Sequence, residues 1–452
     1  MSDPSPQPWR ARLARLLAAS LDAPIVNSTP RRLHGALALP GKATAVIGMR
    51  RAGKTTFLHQ MRRERRDSGT PIERLVYLNL EDERLAGLGA EHLRLLPEEY
   101  YRRFPELRQR ETVTWCFDEI QVVPGWERFV RRLLDSERVE IFVSGSSAAL
   151  LSREIATAMR GRAWEVLLHP FSFEEYLRHH HLAVPEHPHF LAPRQQSALA
   201  RALQDYLACG GFPEVQGLDP ATRRQVLRDY VDVATLRDIV ERHRVSNVIA
   251  LRWLVRHLLG NAGSLFSVEK FFADLKSQGL RVSKDTVHEL LAHVEDCFLA
   301  RVVWIDAGSE RRRMVNPRKI YPVDPGLIPV FDRTGRANIG HALETVVMLE
   351  LERRRCEVNY VRTGNGLEVD FLARAPDGSE ALIQVCADAS DPQTLARELR
   401  ALQEARALYP RARALLLTLV AGELPAGIPS GVEMLPAYEW LLSGTPVLPG
   451  TR

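Results

Sequence analysis

ATAVIGMRRAGKTT, residues 43–56, joins an apolar run to a glycine-rich turn that ends in lysine and threonine. The run Ala43–Ile47 predicts a buried strand, and the residues after the turn predict a helix. Between them, Gly48 to Thr55 fits the pattern G-x-x-x-x-G-K-[ST]. In such a loop the backbone N–H groups face phosphate oxygens, and the positive end of the next helix adds its dipole. The stretch therefore predicts a P-loop.

The residues of this loop have distinct expected roles. Lys54 is expected to bridge β- and γ-phosphate oxygens, and Thr55 is expected to present its hydroxyl to Mg²⁺. Only six of the 61 basic residues are lysines, so a lysine at this motif position carries extra weight. The expected ATP-binding residues are Gly48, Met49, Arg50, Arg51, Ala52, Gly53, Lys54, Thr55 and Thr56.

A second apolar run, TVTWCFDE at residues 112–119, ends in two carboxylates. Ligands of open α/β sheets bind at the carboxyl ends of the strands, which is where these acids would lie. We expect Asp118 to hold Mg²⁺ and Glu119 to orient the attacking water. The run is the third predicted strand, and we expect an extra strand between it and the P-loop strand.

Two further stretches supply catalytic candidates. The fourth predicted strand ends in VSGSS, so Ser144 or Ser146 is a candidate sensor of the γ-phosphate; a helix N-cap role for Ser146 or Ser147 is the alternative. The letters MRGR that follow offer Arg160 and Arg162 as candidates for an arginine finger, in this subunit or in a neighbouring one. Ordinary surface charge is the alternative for both arginines.

Composition indicates a multidomain protein that we expect to be soluble and cytoplasmic. The chain has 452 residues and 45% hydrophobic content, and it contains neither a membrane-spanning apolar run nor a secretory signal. Its five cysteines are scattered, which indicates neither a disulfide framework nor a structural zinc site. A net charge of +5 permits contact with a polyanion.

Strand-like runs alternate with helical patterns up to residue 168, which predicts a parallel sheet covered on both faces. Farther on, helices capped by Ser267 and Ser283 precede strands at Leu299–Ile305 and Lys319–Val323 that flank a polar hairpin, Gly308–Arg313. This order predicts a winged helix. The second helix has mixed charge, so the better candidates for phosphate contact are in the wing: Arg311, Arg312, Arg313, Arg318 and Lys319. A protein-contact role for the winged helix is the alternative.

Five strings occur in order along the chain: GMRRAGKTT, CFDEIQ with Trp126 downstream, VSGSSAALLSREIATAMRGR, HPFSFEEYL and CGGFPEV. Together they resemble bacterial and archaeal AAA-type ATPases that carry a C-terminal domain ending in a nuclease-like fold. The resemblance covers nearly the whole chain from about residue 30 to about residue 420. It implies a P-loop core, a winged helix and a restriction-endonuclease-like terminus.

The resemblance also implies a position for a nuclease-type site. Such folds place a helix glutamate, an aspartate and then E-x-K on the next strand, where the acids hold Mg²⁺ and the lysine assists hydrolysis. Glu344 and Asp370 fit the first two places, but Gln384 and Cys386 stand where glutamate and lysine are expected. We therefore favour a fold retained for binding or scaffolding, and an ATP-regulated, metal-dependent nuclease is the alternative. Glu368 is a candidate for partial compensation.

The resulting fold class is α/β: a P-loop NTPase parallel sheet, a helical and winged-helix middle, and a restriction-endonuclease-like end. The expected domains are an N-terminal helical extension (1–35), the ATPase core (36–180), a helical segment (181–244), a winged helix (245–335), a nuclease-like domain (336–425) and a tail (426–452). The expected function is Mg-ATP hydrolysis coupled to a nucleic-acid-associated process, with a nucleotide-dependent protein-binding switch as the alternative. Candidate partners are DNA or RNA, a protein, and further copies of the chain; no membrane partner is expected.

Overall fold

The computed structural model describes residues 7–145, 159–332, 338–420 and 428–444. The chain divides into two units, Met1–Leu168 and His169–Arg452. Within the described ranges, none of the helices combines the length and the apolar character needed to cross a membrane.

The first unit is built on a five-stranded sheet in the order β2-β3-β4-β1-β5. Every pairing within it is parallel. Its strands are β1 (Ala43–Ile47), β2 (Leu75–Asn79), β3 (Val113–Asp118), β4 (Val139–Gly145) and β5 (Ala163–Leu167). The predicted parallel α/β sheet is confirmed, and β4 is the extra strand between the P-loop strand and the strand that ends in Asp118.

The helices of this unit cover the sheet with apolar faces. They are α1 (Gln7–Asp22), α2 (Lys54–Asp67), α3 (Ala90–Leu93), α4 (Leu95–Arg103) and α5 (Trp126–Ser136). On α5 the buried residues Trp126, Phe129, Val130 and Leu133 recur at helical spacing, which gives the helix one apolar side. All five residues of β1 are buried, as expected for a central parallel strand.

The second unit begins with helices and ends in a mixed sheet. Its helices are α6 (Phe173–His179), α7 (Pro193–Cys209), α8 (Pro220–Val233), α9 (Val248–Gly260), α10 (Val268–Ser277), α11 (Lys284–Asp296), α12 (Glu310–Val315), α13 (Ile328–Phe331), α14 (Ile339–Arg353), α15 (Pro392–Leu408) and α16 (Ala437–Leu442). A π-helical turn, Ala234–Glu241, continues α8. The predicted caps are confirmed, since Ser267 and Ser283 accept hydrogen bonds from the amides of Lys270 and Thr286.

The sheet of the second unit has eight strands in the order β13-β12-β11-β10-β9-β7-β8-β6. They are β6 (Leu265–Phe266), β7 (Ala300–Ile305), β8 (Arg318–Pro322), β9 (Glu357–Arg362), β10 (Glu368–Arg374), β11 (Glu380–Cys386), β12 (Arg413–Thr418) and β13 (Val432–Pro436). Parallel pairing of β7 with β9 joins the strands of the predicted winged helix to those of the predicted nuclease-like domain. Except for its C-terminal tail, the six-domain division stays a prediction.

Two of the quoted strings meet in the second unit. Gly211, from CGGFPEV, accepts a hydrogen bond from the Phe171 amide of HPFSFEEYL at 2.7 Å. A Cβ on Gly211 would lie 2.3 Å from the Phe171 carbonyl oxygen, so only glycine fits. The Asp324 carboxylate accepts from the amides of Gly211 and Gly326 at 2.6 and 2.9 Å. These contacts give both strings a structural role.

Two local predictions are wrong. The predicted polar hairpin between β7 and β8 contains helix α12, because the Ser309 side chain caps it by accepting from the Arg312 amide. The predicted C-terminal tail includes β13, which pairs with β12, and α16. Tyr438 and Trp440 are fully buried there, and this apolar burial holds the segment on the fold.

Candidate functional site

The P-loop connects β1 to α2 through a glycine that no other residue can replace. Gly48 has φ 146°, and a Cβ on it would lie 2.2 Å from the carbonyl oxygen of Leu168. Gly53, with φ 98°, precedes the first residue of α2. The strand, the tight turn and the helix N-terminus are thus arranged as the sequence pattern requires.

Lys54 lies inside this loop. Its side chain is buried, and Nζ donates to the carbonyl oxygens of Gly48 and Met49 at 2.9 and 3.0 Å. The Ala52 amide donates to the Met49 carbonyl across the turn. The ammonium is therefore held by the backbone of the loop. Arg51, Thr55 and Thr56 are exposed, and Arg50 is half-buried.

Asp118 receives hydrogen bonds from three hydroxyl groups. Thr55 Oγ1 and Tyr77 OH donate to Oδ2 at 2.7 and 2.8 Å, and Ser144 Oγ donates to Oδ1. The carboxylate is only 2% exposed. Three donors on two oxygens fix its orientation at the carboxyl end of β3, beside the P-loop threonine. Hard oxygen donors in this arrangement fit a magnesium ion.

Sequence reasoning missed Tyr77 at this site. It lies on β2, next to β3, and the centre of its ring lies 4.3 Å from the centre of the His59 ring on α2. Burial and the Asp118 charge raise the pKa of the phenol far above its ordinary range, so the hydroxyl remains a donor. The only sequence signal is a hydroxyl-bearing aromatic residue in the otherwise apolar run LVYL.

Arg31 was also missed. It precedes β1, within the segment assigned to the N-terminal extension, and its side chain is 8% exposed. Its guanidinium donates to the Ala52 carbonyl of the P-loop at 2.8 Å, and its amide donates to Gln60 of α2 at 2.7 Å. These contacts stabilise the loop and helix together, and no local sequence pattern indicates them.

Glu119 follows Asp118 in a left-handed backbone conformation. Its φ of 51° and ψ of 45° are rare for a residue other than glycine. The Glu119 amide donates to Ser144 Oγ at 3.0 Å, and its carboxylate accepts from Gln121. Such strained positions cluster at functional sites.

The remaining candidates of the first unit are only partly gathered at this site. Ser144 contacts Asp118 and the Glu119 amide, whereas Ser146 lies outside the described residues. The Arg162 side chain forms an ion pair with Asp135 at the end of α5. Arg160 has a left-handed backbone, with φ 48°.

A second cluster of charges lies in the second unit, in the region predicted to be nuclease-like. Lys319 on β8 is 3% exposed, and its Nζ lies 3.0 Å from Glu344, 2.8 Å from Glu368 and 2.8 Å from Asp370. Tyr321 OH donates to Glu344 at 2.6 Å. Burial disfavours the charged ammonium, but the carboxylates outweigh that effect and raise the pKa of Lys319. Cys386 on β11 stands where the predicted nuclease pattern expects a lysine. Lys319, which is remote in sequence, places an ammonium beside Glu344 and Asp370 instead.

The predicted nuclease-like residues meet only in part. Gln384 accepts from the Asp370 amide at 3.1 Å and donates to Glu398 at 2.6 Å. Cys386 does not join the cluster, since its thiol donates to the Asp388 carbonyl. The phosphate-contact role predicted for Lys319 is wrong, because the side chain is buried among carboxylates.

A divalent ion does not fit this cluster as it stands. The Lys319 ammonium lies at the point where the oxygens of Glu344, Glu368 and Asp370 converge. Among the described residues, no group of three or more histidine, cysteine or acidic side chains is placed to hold a metal ion.

Comparisons with known proteins agree with the P-loop geometry. Residues 40–177 match the model of an AAA domain, and residues 200–336 match a domain of unknown function, DUF8612. The chain is 31% identical to an uncharacterized protein of Haemophilus influenzae over 335 residues, which cover 74% of this chain and 79% of that protein. The Walker-type ATPase paby2304 of Pyrococcus abyssi aligns with 71% of this chain and 95% of its own, at 15% identity and a TM-score of 0.39, which is too low to establish a common fold.

A longer match is to the uncharacterized protein MJ1544 of Methanocaldococcus jannaschii. Identity is 32% over 373 residues, which cover 81% of this chain and 79% of the relative. The chain therefore belongs to the family of MJ1544, and its P-loop lies in an AAA domain.

Proposed function

We propose that this AAA domain binds Mg-ATP through Gly48 to Thr56 and hydrolyses it. The observation that carries the proposal is the triple hydrogen bonding of Asp118 beside the P-loop threonine. A carboxylate held this way needs little reorganisation when it receives a cation, which is how preorganised sites lower a barrier. Mg²⁺ would supply charge neutralisation of the phosphates, with Thr55 and Asp118 as its protein partners.

The other residues of the site have separate roles in this proposal. Lys54 leaves the carbonyls of Gly48 and Met49 and pairs with the β- and γ-phosphate oxygens. Glu119, whose backbone is left-handed, accepts a proton from the attacking water. The Ser144 hydroxyl donates to the Asp118 carboxylate and accepts from the Glu119 backbone amide, so it positions both residues. Arg160 and Arg162 remain candidates for an arginine finger.

We further propose that hydrolysis is coupled to a nucleic-acid-associated process through the winged-helix region. Helix α12 supports this role, because Arg311 and Arg312 are exposed on it beside Met314 and Val315. Guanidiniums at an exposed tip suit phosphate contact. Arg318 contributes less, since its guanidinium packs 3.9 Å from the centre of the Trp304 ring.

A nucleotide-dependent, protein-binding switch is the second candidate. Lys319 favours it, because an ion-paired lysine in place of a metal suits a fold kept for binding. The nuclease alternative has the least support, since Gln384 donates to Glu398 and the Lys319 ammonium lies where the acidic oxygens converge.

Measurements of ATP turnover and the capture of bound partners distinguish the nucleic-acid-coupled ATPase from the protein-binding switch. If nucleic acid is the partner, single- or double-stranded DNA or RNA raises turnover and binds with strong salt dependence. If turnover and binding are the same with and without nucleic acid, the coupling is wrong. An ATP-dependent protein partner captured by the Glu119→Gln chain would then support the switch.

A further inference from the structure

The first unit contains a cavity of about 560 Å³ between α4, α5 and the segments that lead into β3 and β4. Pro105 and Arg108 precede β3, and Ser136 and Glu137 precede β4. In a parallel sheet the amino ends of the strands lie at the edge opposite their carboxyl ends. The cavity is therefore separate from the P-loop, and its volume is that of a site for a small molecule.

Positive charge dominates the lining of the cavity. Four arginines and two glutamates line it: Arg94, Arg102, Arg108, Arg132, Glu98 and Glu137. The glutamates already have partners, since Glu98 pairs with Arg10 at 2.9 Å and Glu137 pairs with Arg108 at 2.7 Å. In the part of the chain that the structure describes, the guanidiniums of Arg94 and Arg132 have neither a hydrogen-bond nor an ion-pair partner.

A buried hydroxyl points to a ligand independently of the charges. Tyr101 lines the cavity and is only 5% exposed, and its hydroxyl has no hydrogen-bond partner among the described residues. A buried polar group without a partner costs about 1–3 kcal/mol. Burial raises the pKa of Tyr101 to about 12, so the hydroxyl is a donor at neutral pH.

We propose that this cavity binds a small phosphate-bearing anion, through the guanidiniums of Arg94 and Arg132 and the Tyr101 hydroxyl. Guanidinium forks match the oxygens of phosphate, and pairing with them is stronger than pairing between neutral groups. The Arg108 guanidinium covers the Tyr101 ring at 5.4 Å. An anion that draws Arg108 away from Glu137 opens the path to the hydroxyl. The inference is independent of the proposed ATPase activity.

Calorimetry with inorganic pyrophosphate tests the proposal. The full chain carrying Lys54→Ala is titrated, so that the P-loop does not compete, and one equivalent is expected to bind. Arg132→Ala added to that chain is expected to weaken binding at least tenfold, because a charge-assisted hydrogen bond is lost. Tyr101→Phe is expected to weaken binding about fivefold without lowering Tm, since its hydroxyl has no protein partner to lose.

Arg103→Ala is the matched control. Arg103 is exposed on the same helix, α4, but does not line the cavity. Binding that is absent, or that survives both Arg132→Ala and Tyr101→Phe, overturns the proposal. Equal weakening by Arg103→Ala also overturns it, since that would show general surface attraction. So would a short DNA duplex that binds through Arg94 and Arg132 where pyrophosphate does not.

Discussion

Thr55 Oγ1 donates a hydrogen bond to Asp118 Oδ2 over 2.7 Å, across 63 positions of sequence. The contact joins the P-loop to the acidic end of β3. Because Asp118 also accepts from Tyr77 and Ser144, side chains from three other segments share its carboxylate. The two nucleotide motifs therefore form one hydrogen-bonded unit, and weakening any donor should disturb the whole site.

Tyr77→Phe tests the orientation of Asp118. We expect the Mg²⁺ concentration for half-maximal ATP turnover to rise about tenfold, which corresponds to roughly 1.5 kcal/mol for one hydrogen bond to a charged group. Tyr100→Phe is the control, because the Tyr100 hydroxyl donates to the Glu73 carbonyl at 2.8 Å. ATP turnover measured against Mg²⁺ concentration distinguishes the two variants. An unchanged Mg²⁺ requirement in Tyr77→Phe would show that this hydroxyl does not position the acid.

Glu119→Gln tests the proposed general base. Loss of a general base typically slows a reaction by about 10²–10⁴-fold, so we expect at least a hundredfold fall in kcat with ATP binding retained. Single-turnover hydrolysis measures the fall in rate, and retention of labelled ATP on the purified chain measures binding. The control is Glu127→Gln in the first turn of α5, which should leave turnover unchanged. Rapid hydrolysis by Glu119→Gln would refute the assignment.

Lys319→Met tests the charge cluster of the second unit. Removing one partner of a buried ionic network costs about 3–5 kcal/mol, because uncompensated carboxylates remain buried. We expect urea unfolding to show this loss in the free energy of unfolding. We also expect the Tm of the variant to rise when Mn²⁺ is added. Lys284→Met, which removes an exposed ion pair with Glu269, should cost at most about 1 kcal/mol. Mn²⁺-dependent DNA cleavage by the wild-type chain that Asp370→Ala abolishes would contradict this account of the cluster.

Asp324 should make stability depend on pH. Burial raises its pKa to about 7 from 3.8, even though the amides of Gly211 and Gly326 and the charge of Arg353 favour ionisation. The folded chain therefore holds a proton that the unfolded chain releases between these values. The stabilising contribution is complete below about pH 4 and is lost as pH rises through about 7.

The corresponding experiment compares Tm at pH 5 and pH 8. We expect Asp324→Asn to show a smaller fall in Tm over that range than the wild type. It should also be less stable at pH 5 by about 1–3 kcal/mol, since an amide nitrogen cannot accept from a backbone N–H. Asp205→Asn, at an exposed position of α7, should behave as the wild type does. An unchanged pH dependence in Asp324→Asn would contradict the prediction.

The sheet of the first unit was predictable because its signals are local. A buried strand appears in the sequence as an apolar run, as Ala43–Ile47 does. Gly48 lies where a Cβ would clash with the backbone, so only glycine fits there. The sequence also predicted β4 between the two nucleotide strands. Burial and backbone geometry act on neighbouring residues, so their pattern appears directly in the chain.

The missed residues act over long sequence separations. Tyr77 reaches Asp118 across 41 positions, and Lys319 reaches Asp370 across 51. Lys319 in particular stands in a basic run whose composition suggested exposure, whereas it and the next three residues of β8 are all buried. No periodicity specifies which distant side chain will complete a site. The helix in the expected wing was missed because its cap, Ser309, lies in a short polar loop.

Calorimetric titration of Mg-ATP into the folded chain tests the central claim most directly. The P-loop geometry predicts one bound nucleotide per chain, with heat lost in Lys54→Ala and kept in Lys42→Ala, which changes a half-buried lysine before β1. If the wild-type chain gave no heat with ATP or GTP in the presence of Mg²⁺, or if Lys54→Ala bound as tightly as the wild type, the account would be contradicted.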